Sequence, residues 1–479
     1  MKKTFTTIMP DQIGSFLKAD RCISRLGLNI SRVSYNKAVD VHMLFLEVEG
    51  DEEQLAQADR ELTELGYLQP QSAAGNVMLI EFKLKDKPGE LLPVLELIHQ
   101  YEFNISYISS WENDSGYQYF KMGLFVNDGW EFSEFMNKAA LLCPLRIIDY
   151  KNSEKILDNT VFYLSFANEI SGKMGFDEGQ KSELIEQSNR IMQLLDERNS
   201  PPYKTFDYIG KFAEALRQYK GRQFRARVSR CTLDCGYPLL LIEPPCGSNV
   251  CVIDCGETLL FVDSGFACYR EELWTILEAE IPEFSTRRRE LILTHADVDH
   301  AGCADWFDMV HVNRKCWENF RSEREGRAAL REENTLHAPY VRISKILSGY
   351  RAPQNDRFNL IGGTAEGNAD TLVKIGEFSC GVLKFDVYEG AGGHVRGENI
   401  LIERTEKLAF TGDIFVNIKG FTQEQAQFNQ LAPYLMTSVD TDPALAKQER
   451  DRFRRELLGA GIWRIFGGHG AMLETEIEA

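Results

Sequence analysis

The stretch ILTHADVDHAG, residues 292–302, places His295, Asp297, Asp299 and His300 directly after the apolar run 291–293. An apolar run that stops at such a turn predicts a buried strand leading into a loop. Neutral imidazoles and carboxylates are ligands for divalent metal ions, and alternate residues of a loop can converge on one point. Because one ion cannot easily take four side chains from a single turn, we expect two adjacent ions.

Three more candidate ligands follow apolar runs and meet small residues. His394 lies in the glycine-rich turn GAGGHVRGENI between the apolar segments LKFDVYEG and ILIER, Asp413 lies in LAFTGDIF, and His469 lies in IFGGHG. The chain has eight histidines. The other four lack such partners, and we interpret them as structural or surface residues: His42, His99, His311 and His337.

This ordered series resembles the signature of the metallo-β-lactamase superfamily, with a glyoxalase II-like metallohydrolase over residues 233–479. The resemblance implies an α/β fold, the αβ/βα sandwich, and it matches Asp263 in FVDSG to an acidic residue that supports the metal loop. It also implies a ligand set of seven residues. One ion would be held by His295, Asp297 and His394, a second by Asp299, His300 and His469, and Asp413 would bridge them together with a water or hydroxide.

Asp297 departs from the family pattern, which has a histidine at this place. The extra carboxylate makes the centre less positive and favours harder ions, so Zn, Fe and Mn all stay open. Flavodiiron proteins carry a glutamate here and use two irons for oxygen or nitric oxide reduction. The substitution therefore keeps a redox alternative alive.

The leading functional hypothesis is hydrolysis by a metal-bridging hydroxide that attacks an ester, thioester, lactone or phosphodiester. In this hypothesis Asp299 and Asp413 are the catalytic carboxylates, and the substrate is a small molecule. The pattern of the chain offers no flavodoxin-like segment with a phosphate-binding loop to deliver electrons, which favours hydrolysis over the diiron alternative. A metal-dependent sensor without turnover is the third possibility.

The first third of the chain contains a repeat. A shift of 75 positions superimposes Asp11, Gly14, Leu17, Asn29, Ile30 and Ser31 on Asp86, Gly89, Leu92, Asn104, Ile105 and Ser106. Each copy predicts the order β-α-β-β-α-β, the ferredoxin-like arrangement. The two copies, residues 1–72 and 73–150, resemble a tandem pair of ACT domains, a regulatory module that binds amino acids.

The ACT resemblance implies an effector site at the turn before the first helix of the second copy. Exposed backbone N–H groups at a helix N-terminus can receive a carboxylate, and glycine permits a close approach. A purely structural or dimerising role for the copies remains the alternative. The implied effector-binding residues are Asp86, Pro88, Gly89, Glu90, Asn104 and Ile105.

Residues 151–232 predict a helical connector, with an amphipathic helix around residues 184–195 and a second helix at 205–219. In the later insertion the arginines Arg321, Arg324, Arg327 and Arg331 alternate with glutamates. Intrahelical ion pairs explain this mixture better than recognition of an anionic substrate does.

The net charge of −18 argues against nucleic acid as a partner. No apolar run is long enough to cross a membrane, and the start of the chain lacks the apolar core of a secretion signal. The eleven cysteines show no disulfide framework. We therefore expect a cytoplasmic protein without a membrane partner, which forms a homodimer.

Overall fold

The computed structural model describes residues 2–9, 13–36, 43–65, 76–112, 116–126, 129–147, 166–198, 200, 202–354, 357–363, 370–431 and 439–478. The chain divides into two compact units. One comprises Met1–Glu169 and Lys181–Pro202, and the other comprises Ile170–Gln180 and Tyr203–Ala479. The predicted boundaries at 72, 150 and 232 remain predictions.

The N-terminal unit contains one sheet of seven strands in the order β1-β3-β2-β5-β6-β4-β7. The first copy of the repeat supplies β1 (Lys2–Ile8), α1 (Ser15–Arg25), β2 (Asn29–Asn36), β3 (Met43–Glu49) and α2 (Glu52–Glu64). The second supplies β4 (Asn76–Lys85), α3 (Leu92–Gln100), β5 (Asn104–Glu112), β6 (Tyr117–Val126), α4 (Gly129–Leu142) and β7 (Leu145–Ile147). The second copy thus shows the predicted β-α-β-β-α-β order, and β2 pairs antiparallel with β5.

Three helices follow: residues 166–174 (α5), Glu178–Glu197 (α6) and Pro202–Gln218 (α7). α6 and α7 agree with the two predicted connector helices. The predicted connector also includes a strand, because Arg227–Thr232 (β8) pairs antiparallel with Pro238–Glu243 (β9).

The C-terminal unit is built on two sheets. The first has the order β14-β13-β12-β11-β10-β9-β8, with β10 at Val250–Asp254, β11 at Thr258–Val262, β12 at Arg288–Ile292, β13 at Met309–Val312 and β14 at Phe358–Leu360. The second runs from β15 to β20 in sequence order: Leu372–Cys380, Leu383–Gly390, Asn399–Glu403, Leu408–Phe410, Gly461–Phe466 and Leu473–Ile477. Among the described residues, the helices of the C-terminal unit that follow α7 are α8 (Arg270–Glu280), α9 (Arg314–Arg324), α10 (Ala338–Ser348), α11 (Gln423–Asn429) and α12 (Pro443–Arg452).

One apolar core lies between these two sheets. Ile253 and Val262 of the first sheet belong to the same buried cluster as Val387 and Leu401 of the second. β10 and β11 read as nearly continuous apolar runs, as expected for strands buried on both faces, and α8 also buries Leu273 and Leu277. The result is a layered α/β unit of the predicted class.

No helix among the residues that the structure describes combines the length and the apolar character needed to cross a bilayer. Each of the eleven cysteines lies within the described part of the chain and is a free thiol there.

Candidate metal centre

The seven predicted ligands meet at one edge of the C-terminal unit. Three of the ligands lie three residues after the end of a strand: His295 after β12, Asp413 after β18 and His469 after β19. β11 pairs parallel with β12, and β18 pairs parallel with β19, so within each pair the carboxyl ends lie side by side. Loops that leave the same edge of the sheets therefore bring together residues up to 174 positions apart, from His295 to His469.

Four of these residues form a position suited to a divalent ion, which we call the second position: Asp299, His300, His469 and Asp413. The Nε2 atom of His469 lies 3.5 Å from Asp299 Oδ2 and 3.4 Å from Asp413 Oδ2. The Nε2 atom of His300 lies 3.9 Å from Asp299 Oδ2 and 3.6 Å from Asp413 Oδ1. Tetrahedral ligands at about 2.1 Å from an ion are about 3.4 Å apart, so these separations fit.

Two atoms of the second position are buried without a hydrogen-bond partner among the described residues: His300 Nε2 and Asp413 Oδ1. Such atoms are costly unless something else satisfies them. A divalent cation is the natural partner for an imidazole lone pair beside a carboxylate oxygen. The residues present therefore fit an ion here.

The histidines are oriented by hydrogen bonds to their other ring nitrogen. His300 Nδ1 lies 2.8 Å from Asp263 Oδ2, and His469 Nδ1 lies 3.0 Å from the carbonyl oxygen of Gly247. Because these oxygens can only accept, both Nδ1 atoms donate, and the lone pair of each Nε2 faces the centre. This is the usual arrangement behind metal-binding histidines. Asp263 supports the loop as the resemblance implied.

The remaining ligands form what we call the first position: His295, Asp297 and His394, which share Asp413 with the second. Asp297 Oδ2 lies 3.4 Å from His295 Nε2 and 3.6 Å from His394 Nε2. Here a protein cation already makes the contacts. Arg331 Nε donates to both carboxylate oxygens of Asp297 at 2.7 and 2.9 Å, and Arg331 Nη2 lies 2.8 Å from His394 Nε2.

The electrostatics keep the carboxylates of both positions ionised. Burial by itself would raise the pKa of Asp297, but Arg331 and then His295 hold it well below its usual range. Burial acts in the same direction on Asp413, and His469 and His300 hold its pKa well below its usual range. Both groups therefore present charged oxygens to the centre.

Arg331 corrects the interpretation of the arginine-rich insertion. Arg321 of α9 does pair with Glu325, the residue directly after this helix, and Arg327 also pairs with Glu325. The side chain of Arg331 instead reaches Asp297, 34 positions away in the chain. Intrahelical pairing was the wrong prediction for this residue, because its short helical turn, Leu330–Glu332, directs it into the site.

The sequence reasoning also missed residues that hold the ligands in place. Glu398 Oε1 accepts from the backbone N–H of Asp413 at 2.6 Å, and Asp440 Oδ1 lies 3.1 Å from His394 Nδ1. Thr294 Oγ1 donates to Asp263 and lies 3.0 Å from His295 Nδ1. The position of Thr294 directly before His295 was a usable signal. Glu398 and Asp440 carried none that separates them from other acidic residues.

A cavity of about 750 Å³ opens onto the centre, and Asp297, Asp299, Asp413, His394 and His469 line it. Much of its remaining wall is apolar. Phe428 stacks on Phe212 with ring centroids 5.4 Å apart and meets the edge of Phe266 at 6.0 Å. The volume is in the range of small-molecule sites.

The predicted effector residues lie in the N-terminal unit. Asp86 accepts a 2.7 Å hydrogen bond from Asn29 of the first copy, and Gly89 has a φ of +81°. Gly89 and Glu90 line a cavity of about 10 Å³, roughly the space of one water. Pro88 lies in the same turn, whereas Asn104 and Ile105 begin β5 and do not line this cavity.

No protein-family model matches this sequence, and no curated protein matches it significantly. The chain is similar to metallo-β-lactamases of known structure. One, from Erythrobacter litoralis, is 16% identical with a TM-score of 0.32, over 52% of this chain and 91% of the other. A flavo di-iron protein from Thermotoga maritima is 10% identical with a TM-score of 0.32, over 52% of this chain and 59% of the other.

An aspartate kinase from Synechocystis is 12% identical with a TM-score of 0.24, over 31% of this chain and 28% of the other. Because these identities are at most 16% and these TM-scores at most 0.32, we assign no activity to the chain from the similarities. An assignment of activity therefore has to rest on the chemistry of the side chains.

Proposed function

We propose that the C-terminal unit is a metal-dependent hydrolase. The observation that carries the proposal is the second position. There two histidines and two carboxylates place ligand atoms 3.4–3.9 Å apart, at the wall of a cavity large enough for a small molecule. Zn, Fe and Mn all accept such a donor set, so the identity of the ion stays open.

When bound, a divalent ion acidifies a coordinated water and polarises a substrate carbonyl. The chain's own residues do the rest. His300 and His469 direct their Nε2 atoms toward the centre because their Nδ1 atoms hydrogen-bond to Asp263 and to the carbonyl oxygen of Gly247. Asp413 is positioned by the hydrogen bond from its backbone N–H to Glu398, and the apolar wall restricts water near the reacting groups.

The cavity favours a substrate with a bulky apolar group and little negative charge. Its aromatic wall offers Phe212, Phe266 and Phe428 for packing. Lys345 is paired with Glu323 and Glu332 at 2.6 Å each, so it has little charge to offer an anion. We therefore place carboxylic esters, thioesters and lactones with an apolar acyl part ahead of phosphodiesters.

The test is a panel of esters that share one leaving group and differ in acyl length, with a phosphodiester of the same leaving group. We expect kcat/KM to rise with acyl length and the phosphodiester to be poor. His469→Ala should lower kcat/KM by more than about 100-fold, because even the loss of an outer hydrogen-bond partner of a metal ligand typically costs about 10–100-fold. His99→Ala, at an exposed histidine, is the matched control.

Other outcomes would separate the alternatives. Two irons per chain with visible absorption and oxygen consumption would replace hydrolysis by the diiron redox function. Full metal occupancy without turnover of any ester, thioester, lactone or phosphodiester would favour the sensor. Equal activity in His469→Ala and the unaltered protein would contradict the proposed site.

We also propose that an amino acid binds the N-terminal repeat and changes the activity of the C-terminal unit, and that the protein works as a homodimer in the cytoplasm. The support is the repeat, the β-α-β-β-α-β order of its second copy and the Asp86–Asn29 hydrogen bond between the copies. A backbone turn at a helix N-terminus can receive a carboxylate.

A further inference from the structure

The guanidinium group of Arg331 contacts the side chains that the first ion of a two-ion centre would have to bind. Its Nη2 atom lies 2.6 Å from Asp297 Oδ2 and 2.8 Å from His394 Nε2. The Nδ1 atom of His394 faces Asp440 Oδ1 at 3.1 Å, so Nδ1 carries the proton and Nε2 accepts from Arg331. The only lone pair of His394 is thereby in use.

A metal ion and Arg331 exclude each other at this position. A metal–imidazole bond of about 2.0–2.1 Å needs the same Nε2 lone pair that accepts from the guanidinium. Asp297 is engaged in the same way, because both of its oxygens accept from Arg331 Nε. A planar guanidinium binds a carboxylate through two oxygens, which an imidazole at residue 297 could not offer.

The surroundings hold Arg331 in place. Its side chain is 11% exposed and that of Asp297 is 16% exposed. The backbone N–H of Leu330 donates to Asn319 at 2.8 Å, and Arg331 Nη1 donates to the carbonyl oxygen of Val439 at 3.1 Å. The next residue, Glu332, pairs with Lys345.

Among the described residues His300 Nε2 and Asp413 Oδ1 of the second position have no hydrogen-bond partner, and the same holds for His295 Nε2 of the first position. The two positions differ because Asp297 and His394 of the first position both accept from Arg331. A divalent ion can therefore bind at the second position, whereas the guanidinium group of Arg331 occupies the first.

We propose that the guanidinium group of Arg331 replaces the first metal ion, so that the centre binds a single divalent ion at Asp299, His300, His469 and Asp413. This inference rests on the proposed metal-dependent function and specifies its centre. Arg331 is then a fixed cation beside the ion, and Asp297 is its anchor and no metal ligand.

The test measures metal stoichiometry, independently of activity, by titrating the metal-free full-length protein with Zn²⁺ and with Mn²⁺ in a calorimeter and by elemental analysis after desalting. We expect one ion per chain in the unaltered protein and two in Arg331→Met. Arg327→Met removes an exposed arginine four residues upstream in the same insertion, and this variant should still bind one ion. Two ions in the unaltered protein, or one in Arg331→Met, would overturn the inference.

A second pair of variants keeps the test decisive if Arg331→Met does not fold. His469→Ala should lose the ion, whereas His394→Ala should still bind one, because His394 serves only the first position. Loss of the ion in His394→Ala would overturn the inference while the hydrolase proposal stands. No ion in the unaltered protein would overturn both proposals together.

Discussion

Asp263 shows how a single residue fixes the loop that bears the ligands. Its backbone has a φ of +59°, a left-handed conformation that a non-glycine residue rarely adopts. Its carboxylate accepts from the backbone N–H and the hydroxyl of Thr294 and from His300 Nδ1, at 2.8–2.9 Å. Strain of this kind persists where surrounding contacts determine the position, and it often marks functional sites.

Asp20 of α1 makes the stability of the folded protein depend on pH. It is 1% exposed, and burial, followed by the charge of Glu96, raises its pKa from 3.8 to about 7. The folded state thus keeps a proton that the unfolded chain loses, so stability falls as pH rises from about 4 to 7. Three pKa units correspond to about 4 kcal/mol in the free energy of unfolding. This destabilisation is absent below pH 4 and complete above pH 7.

Asp20→Asn should remove this pH dependence. We expect the free energy of unfolding of the N-terminal unit to become flatter between pH 4 and 7, with a gain relative to the unaltered protein above pH 7. Urea unfolding at pH 5 and pH 8 measures it, with Glu53→Gln, an exposed position on α2, as the control. If the free energy of unfolding of Asp20→Asn falls between pH 5 and pH 8 as much as that of the unaltered protein, another group causes the pH dependence.

At the scale of elements, the metal loop is seated by close contact with the turn that follows β11. An ideal Cβ on Gly302 would lie 2.3 Å from the backbone nitrogen of Ala267 and 2.4 Å from the carbonyl oxygen of Gly265. Ser264 Oγ also donates to the carbonyl oxygen of His300 at 2.8 Å. The loop after β12 therefore rests directly on the neighbouring loop.

Gly302→Ala should displace this loop, because both obstructing groups are backbone and cannot rotate away. Overpacking of this kind costs about 1–3 kcal/mol. We expect a lower Tm and weaker metal binding by calorimetry. Gly459→Ala is the matched control, since an added Cβ there meets nothing within 4 Å. Equal Tm and metal affinity in the two variants would show that the contact does not matter.

At the scale of the whole molecule, the chain joins a repeat with a ferredoxin-like second copy to a layered unit with a candidate metal centre. The cavity beside Gly89 is about 10 Å³, too small for an amino acid as it stands. Binding would have to open the turn Asp86–Glu90, and the Asp86–Asn29 hydrogen bond is one contact that would change.

Calorimetric titration of the full chain with the twenty amino acids tests this regulation. We expect at least one to bind and to change substrate affinity by about 5–150-fold, the usual range of coupling between sites, and Asp86→Ala to weaken its binding. The effector should also alter substrate affinity by the factor by which substrate alters effector affinity. Lys18→Ala, at an exposed position on α1, is the control. Silence from all twenty would leave the repeat with a structural role.

Much of the fold follows from local periodicity. The apolar run 291–293 predicted the strand β12, and the 75-residue shift predicted the repeat with the β-α-β-β-α-β order seen in its second copy. The candidate ligands were recognisable because they lie in short turns that follow apolar runs and contain small residues. Their roles toward a metal remain predictions, although the structure brings all seven together.

Sequence alone determined which side chains stand at the ends of buried strands, because an apolar run and the polar residue that ends it are neighbours along the chain. Tertiary structure decided which residues face each other across that edge. Arg331 reaches Asp297 across 34 positions, and Glu398 holds the backbone of Asp413 across 15. Such contacts depend on how separate loops pack in space, and a charge in an alternating Arg/Glu segment has no local feature that distinguishes a buried partner from a solvated one.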